Sequence, residues 1–235
     1  MTDPEFYVGY LPSAPPRLSM AVRRIVLGVL SLTALLAFTL VFAQKPFLLS
    51  TFEFQNYKEF QGVLREHPYP TLADSSHYLL VAPGKRGAAD LFSGLDGKTV
   101  RLKGSLIYRD GDRMIEALPG TIQTIDQALA PCVTRIDLGI VTLIGEIVDS
   151  KCYLGVMNPG AGKVHRDCAA RCISGGIPPA LIAKDSLGVS KTILLIGLGR
   201  QRVLDFGAEP VAVSGRLMRS DGMLILDASQ LTRRE

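Results

Sequence analysis

The chain of 235 residues has no tryptophan, only three histidines, and no block of like charge. Its 26 basic and 22 acidic residues are interspersed, leaving a net charge of +4, and aromatics make up 7%. Small barrels that hold single-stranded nucleic acid use aromatic platforms in a basic groove. Both are wanting here, so nucleic acid is excluded as a partner. Lys85-Arg86, Arg200-Gln-Arg202 and Arg233-Arg234 read as solvated faces. No Walker loop is present, and Gly197-Leu-Gly199 lacks the third glycine and the following helix of a dinucleotide fingerprint. The absence of CxxCH excludes covalent c-type haem. No Ser-His-Asp spacing appears either. These absences point away from an enzyme.

What is present begins with a long apolar run. Residues 25–43 carry no charge, and nineteen residues of helix cross a hydrocarbon core about 30 Å thick. Arg17, Arg23 and Arg24 precede the run and only Lys45 follows closely. The positive-inside bias predicts a single-pass protein of the bacterial inner membrane, amino terminus cytoplasmic, later residues periplasmic. A cleaved signal ending at Val41-Phe-Ala43 is the rival reading. The apolar core exceeds the usual signal length and the leader is long, which favours a signal-anchor. Residues 1–24 form a Pro-rich leader whose Phe6, Tyr7 and Tyr10 suit the membrane interface or a docking peptide on another membrane protein subunit. Residues 44–58 form a juxtamembrane segment containing Phe47, Phe52 and Phe54.

The remainder is duplicated. Val100-Arg-Leu-Lys-Gly104 through Asp110-Gly111 to Glu116-Ala117 aligns without a gap on Val211-Ala-Val-Ser-Gly215 through Asp221-Gly222 to Asp227-Ala228. Asp-Gly between apolar runs is a strong hairpin signal. Upstream, Tyr78-Leu-Leu-Val81 before Gly84-Lys85 matches Ile193-Leu-Leu-Ile196 before Gly199-Arg200, and Gly62 matches Gly145 loosely. The predicted fold is mainly β: a transmembrane helix, then two tandem OB-like barrels. Their expected bounds are 59–125 and 138–235, with a connector at 126–137 that holds Cys132. A single helical turn is expected near Ala88-Ala-Asp-Leu-Phe92.

An insert at 149–179, between the first two strands of the second copy, holds Cys152, His165, Cys168 and Cys172. A helix over 164–173 would place His165, Cys168 and Cys172 on one face, because steps of three and four residues stay in a narrow arc. Gly175-Gly176 and Pro178-Pro179 supply its stop. The Pro159-Gly-Ala-Gly162 loop lets Cys152 fold back over that face. Two chemistries fit. The four residues suit a tetrahedral Cys3His site for zinc or another transition metal. An oxidising compartment and an even number of cysteines equally suit disulfides, with Cys132 as an additional partner. Lys151, adjacent in sequence, would lower a neighbouring thiol's pKa, but adjacent strand residues face opposite ways, so no such contact is expected. His67 and His77 have no cysteine near them and are assigned no ligand role.

The segment Gly145-Glu146, Val148-Asp149, Cys152-Tyr153, His165, Cys168-Ala169, Cys172, Gly176 and Pro178 resembles a group of uncharacterised exported bacterial proteins of OB-like β-barrel type. The resemblance covers about forty residues. It implies an exported barrel module with a shared Cys-His site and brings no reaction with it. The expected function is a membrane-tethered binding or accessory subunit, within a membrane redox or respiratory complex. The alternative is a redox-active or metal-dependent enzyme acting through the Cys-His site.

The topology is directly testable. Alkaline phosphatase fused after residue 60 is expected to be active, and a reporter that works only in the cytoplasm is expected to be silent there. The reverse pattern would overturn the orientation.

Overall fold

In a computed structural model, residues 14–44, 50–126, 135–185 and 187–234 are described. Phe6, Tyr7, Tyr10 and Cys132 lie outside these residues. The chain forms two compact units, 1–48 and 49–235.

The first unit contains α1 (Pro16–Ala43), an apolar helix of 28 residues with no buried residue. Pro16 at its start has the φ of a helix and lacks an N–H that would go unpaired there. The helix therefore begins ahead of the apolar run and includes Arg17, Arg23 and Arg24. It is long and apolar enough to be a candidate membrane span.

The second unit holds both barrels. The first comprises β1 (Ser50–Phe52), β2 (Lys58–Arg65), β3 (Thr71–Ala73), β4 (His77–Ala82), β5 (Arg86–Gly87), α2 (Ala89–Phe92), β6 (Thr99–Arg109), β7 (Asp112–Ala117) and β8 (Gln123–Thr124). The second begins with β9 (Arg135–Asp149), followed by a π-turn (Cys152–Val156), a 3-10 turn (Lys163–His165) and α3 (Arg166–Ser174). It closes with β10 (Pro179–Lys184), β11 (Ser190–Ile196), α4 (Arg200–Asp205), β12 (Pro210–Ser220) and β13 (Met223–Arg233).

The ring β2-β3-β4-β7-β6 has the same connectivity as β9-β10-β11-β13-β12, each with one parallel pair, β4 with β7 and β11 with β13. In chain order a single helix falls between the third and fourth ring strands, α2 between β4 and β6 and α4 between β11 and β12. This is the five-stranded OB-like arrangement. The registers show that the internal repeat is structural. Gly62 pairs with Val100 as Gly145 pairs with Val211, and Gly104 pairs with Ala117 as Gly215 pairs with Ala228. Leu79 pairs with Met114 as Leu194 pairs with Ile225.

Three differences from the sequence reading stand out. Part of the juxtamembrane segment is β1, which pairs with β6 on the first barrel. Strand β9 begins at Arg135, inside the expected connector. Helix α4 does follow Gly199, as the counterpart of α2, and it caps a barrel with Val203 buried.

Each barrel has its own core. Leu64, Leu72, Leu80, Phe92, Leu102 and Ile115 fill the first, and Ile147, Leu181, Leu195, Val213, Leu226 and Leu231 the second. A third apolar cluster joins them: Leu79, Val81, Ile107 and Met114 pack with Val148, Tyr153, Leu154, Leu194 and Ile225. The runs Tyr78-Leu-Leu-Val81 and Ile193-Leu-Leu-Ile196 do not alternate because their strands are buried on both faces. One face lines a barrel and the other meets the opposite barrel.

The hairpins turn as the Asp-Gly pairs predict, with φ of 50° and 93° at Asp110 and Gly111 and 52° and 81° at Asp221 and Gly222. Positive φ at both central residues is the type I′ geometry that matches strand twist. A Cβ at Gly222 would meet nothing within 4 Å, so substitution there meets only backbone strain. Gly222→Val is expected to lower stability by about 1–2 kcal/mol, read by thermal unfolding. A change near zero would show that the turn does not require the left-handed conformation.

Candidate metal centre

The insert leaves the second barrel at Asp149 and returns at Pro179, and it packs against the first barrel at both ends. At its start, the buried Lys151 ammonium donates to Ala82 O (2.8 Å) and Gly84 O (2.7 Å) and pairs with Glu116. Two carbonyls and a carboxylate are what a desolvated ammonium with three donors needs. Lys151 thus reaches the first barrel, from a helical turn (φ −68°, ψ −51°) and not from the strand that the sequence reading assumed. Two residues further on, Arg109 donates from Nη1 to Tyr153 O at 2.6 Å and stacks 4.2 Å over that residue's ring. At the other end of the insert, Gly175 O accepts from Gly87 N at 2.9 Å. A Cβ at Gly175 would lie 1.8 Å from Lys85 O, so this approach is open only to glycine.

These contacts bring the cysteines together. Cys152 Sγ lies 4.0 Å from Cys168 Sγ and 4.0 Å from Cys172 Sγ, and all three sulfurs fall within 4.8 Å of one another. No disulfide joins them. Cys152 comes from the π-turn, while Cys168 and Cys172 stand one turn apart on α3. Lys85 Nζ, from the first barrel, donates to Cys168 Sγ at 2.9 Å.

His165 lies near Cys152, as its spacing suggests, but not as a fourth member of the sulfur group. It precedes α3, is buried, and its Nε2 lies 2.9 Å from Asp149 Oδ2. Asp149 Oδ1 also accepts from Cys152 N at 2.8 Å. The single Cys3His cluster drawn from the spacing is therefore resolved into two groups sharing Cys152: the three sulfurs, and Asp149–Cys152–His165. In the second group the histidine and carboxylate already satisfy one another. The three sulfurs carry no such mutual neutralisation, and they border a cavity of about 360 Å³. The sulfur group is the better donor set.

The thiols are electrostatically unequal. Donation to Cys172, then burial, then the Asp149 carboxylate hold Cys152 well above the ordinary thiol range. Accepting that bond lowers Cys172 below it, with Lys85 helping. Lys85 in turn is raised, first by its bond to Cys168. Of the two, Cys172 is the thiol that gives up its proton more readily, and Lys85 stands on the neighbouring Cys168. A thiolate, not a thiol, ligates metal. Two sulfurs bound to zinc at about 2.3 Å with tetrahedral angles lie about 3.8 Å apart, and the observed 4.0 Å separations are close to that.

Sequence reasoning identified the three cysteines and the fold-back of Cys152. It missed Lys85, Glu116 and the dual role of Asp149. The Asp-x-x-Cys spacing was the available signal for Asp149, since a carboxylate three residues upstream can accept from the cysteine N–H. Another residue of the resembling segment, Glu146, accepts from Gly162 N and ties the insert's loop to β9. No protein-family model matches the chain, and no similar curated protein is found.

The buried Lys151–Glu116 pair carries the placement of the insert, with side chains 3% and 13% exposed. Removing one partner of such a pair strands the other, and Lys151→Met is expected to cost about 3–5 kcal/mol. Adding Glu116→Leu should recover part of that. Thermal unfolding of the full chain in detergent reads both, and a single-variant loss under about 1 kcal/mol would remove Lys151 from this role.

Proposed function

We propose that the chain is a membrane-tethered exported accessory subunit whose two-barrel body holds one thiophilic transition metal on Cys152, Cys168 and Cys172. The observation that carries this reading is the convergence of three sulfurs within 4.8 Å, none of them in a disulfide. Thiolates select soft or borderline ions such as zinc and copper(I). Three thiolates on zinc carry a net charge of −1, and the ammonium of Lys85 stands beside them to offset it. Three protein ligands leave a tetrahedral ion one open position, and all three cysteines line the cavity. The buried carboxylate–histidine pair behind Cys152 would orient the ligand set, as outer-shell partners do.

The tether is α1, and its arginine flank supports an exported body. The same architecture suits a subunit of a membrane redox or respiratory complex, with the leader's Phe6, Tyr7 and Tyr10 presented to a neighbouring subunit. The polarised Cys152–Cys172 contact favours a second reading, in which the pair cycles between dithiol and disulfide as a redox enzyme.

Elemental analysis with thiol titration separates the two. The metal reading expects one metal per chain and three thiols exposed by a chelator without reductant. Cys168→Ser should abolish retention, and His165→Ala should weaken it by about 10–100-fold. Binding should also release protons, since Cys152 must lose the proton it shares with Cys172. Thiols that appear only after reduction, with no metal, would replace this reading with the disulfide one. A stoichiometric membrane partner on purification in mild detergent supports the subunit role, and turnover by the purified chain alone opposes it.

A further inference from the structure

We propose that the cavity beside the three sulfurs takes up a neutral, lipid-soluble molecule from the bilayer and lays its polar end against the open side of the cluster. The proposal rests on the tethered metal-site reading and adds a ligand class to it.

Two segments supply most of the cavity's apolar side chains. Phe52, Phe54 and Tyr57 come from the segment entering the first barrel, and Val156 and Met157 from the insert. Phe54, Tyr57 and Met157 are 65%, 48% and 44% exposed. Single exposed apolar residues need no explanation, but several on the rim of one cavity mark a binding surface. A volume of about 360 Å³ lies within the range of small-molecule sites, roughly 300–1,000 Å³. The cavity thus has room for a ligand and an apolar rim to admit it.

The charges of the lining favour a neutral occupant. Lys151 is matched by Glu116, and Lys85 is committed to Cys168 and the cluster's negative charge. Lys151 has all three protons engaged, and an anionic head would have to compete with the sulfurs for Lys85. The sequence order indicates the source. Phe52 follows the last residue of α1, Ala43, by nine residues, a stretch spanning at most about 30 Å. The wall is therefore the first part of the exported body reached by the chain after the candidate span. A lipophile dissolved in the bilayer is the apolar ligand most concentrated there.

The test uses the full chain in phosphatidylcholine vesicles containing a diazirine-bearing long-chain alcohol or, in parallel, the corresponding fatty acid. After irradiation, peptide mapping is expected to find the alcohol on residues 52–57 and 156–157 as well as on α1. Phe54→Arg and, independently, Met157→Glu should each reduce cavity labelling about tenfold while labelling of α1 and metal content stay unchanged. Both side chains are substantially exposed, so the fold should tolerate these changes. Label confined to α1, or a cavity preferring the fatty acid, would overturn the proposal. Metal content in the same samples keeps the readings apart. Cavity labelling without metal removes only the metal site, and metal without cavity labelling removes only the ligand.

Discussion

The architecture around the cysteines depends on a single buried ammonium. Lys151 is sequestered between the barrels, and its three protons find two carbonyls and one carboxylate, all from the first barrel. A charge removed from water is tolerated only when its partners are this complete. Because Cys152 is the next residue, satisfying Lys151 also fixes where that sulfur lies. The far end of the insert is fixed separately, where Gly175 meets the backbone at Lys85 and Gly87. That second contact brings Lys85 to Cys168. The cysteines therefore converge because the insert is held at both ends against a barrel it does not belong to.

Duplication supplies that second barrel. Equivalent residues, Leu79 with Leu194 and Met114 with Ile225, contribute to the same inter-barrel cluster. The two copies thus meet through corresponding strands, much as subunits do in a self-complementary dimer. The insert breaks the symmetry. In the first copy, β2 and β3 are joined by residues 66–70 only, whereas in the second copy residues 150–178 intervene between β9 and β10. Tyr153 and Leu154 wedge into the shared cluster, and the stacked Arg109 holds the wedge from the first barrel.

This explains which parts of the molecule were legible in the sequence. Local patterns carried the apolar helix, the two Asp-Gly hairpins, the helical turn at Ala89–Phe92 and the place of the insert. The steps from His165 to Cys168 and Cys172 carried the helix and two of the three sulfurs. Pairings made only by tertiary contact were not legible. Strand β1 has three residues and pairs with residues more than fifty positions later, so nothing in its own sequence marks it as a strand. Lys85 lies 83 residues from Cys168, and its neighbour Arg86 made it resemble a solvated cluster. Glu116 recurs as Asp227 in the second copy, and the repeat alone did not reveal which acid faces a buried lysine. His165 was placed on the correct side, but the spacing could not show that Asp149 would occupy its ring.

The placement of His165 shapes what the site can do. With a fourth protein ligand the sulfur cluster would be closed, as structural zinc sites are. Pairing Nε2 of His165 with Asp149 gives the imidazole a place behind Cys152, grouped with that residue and not with Cys168 and Cys172. The sulfurs line a cavity whose wall includes Phe52, Phe54 and Met157. Three cysteines that also line a cavity suit the proposed accessible metal site better than a purely structural one. Such a site would hold an ion that a second molecule can reach. The two-point fixation of the insert keeps that geometry in place before any ligand arrives, so little ordering is needed on binding.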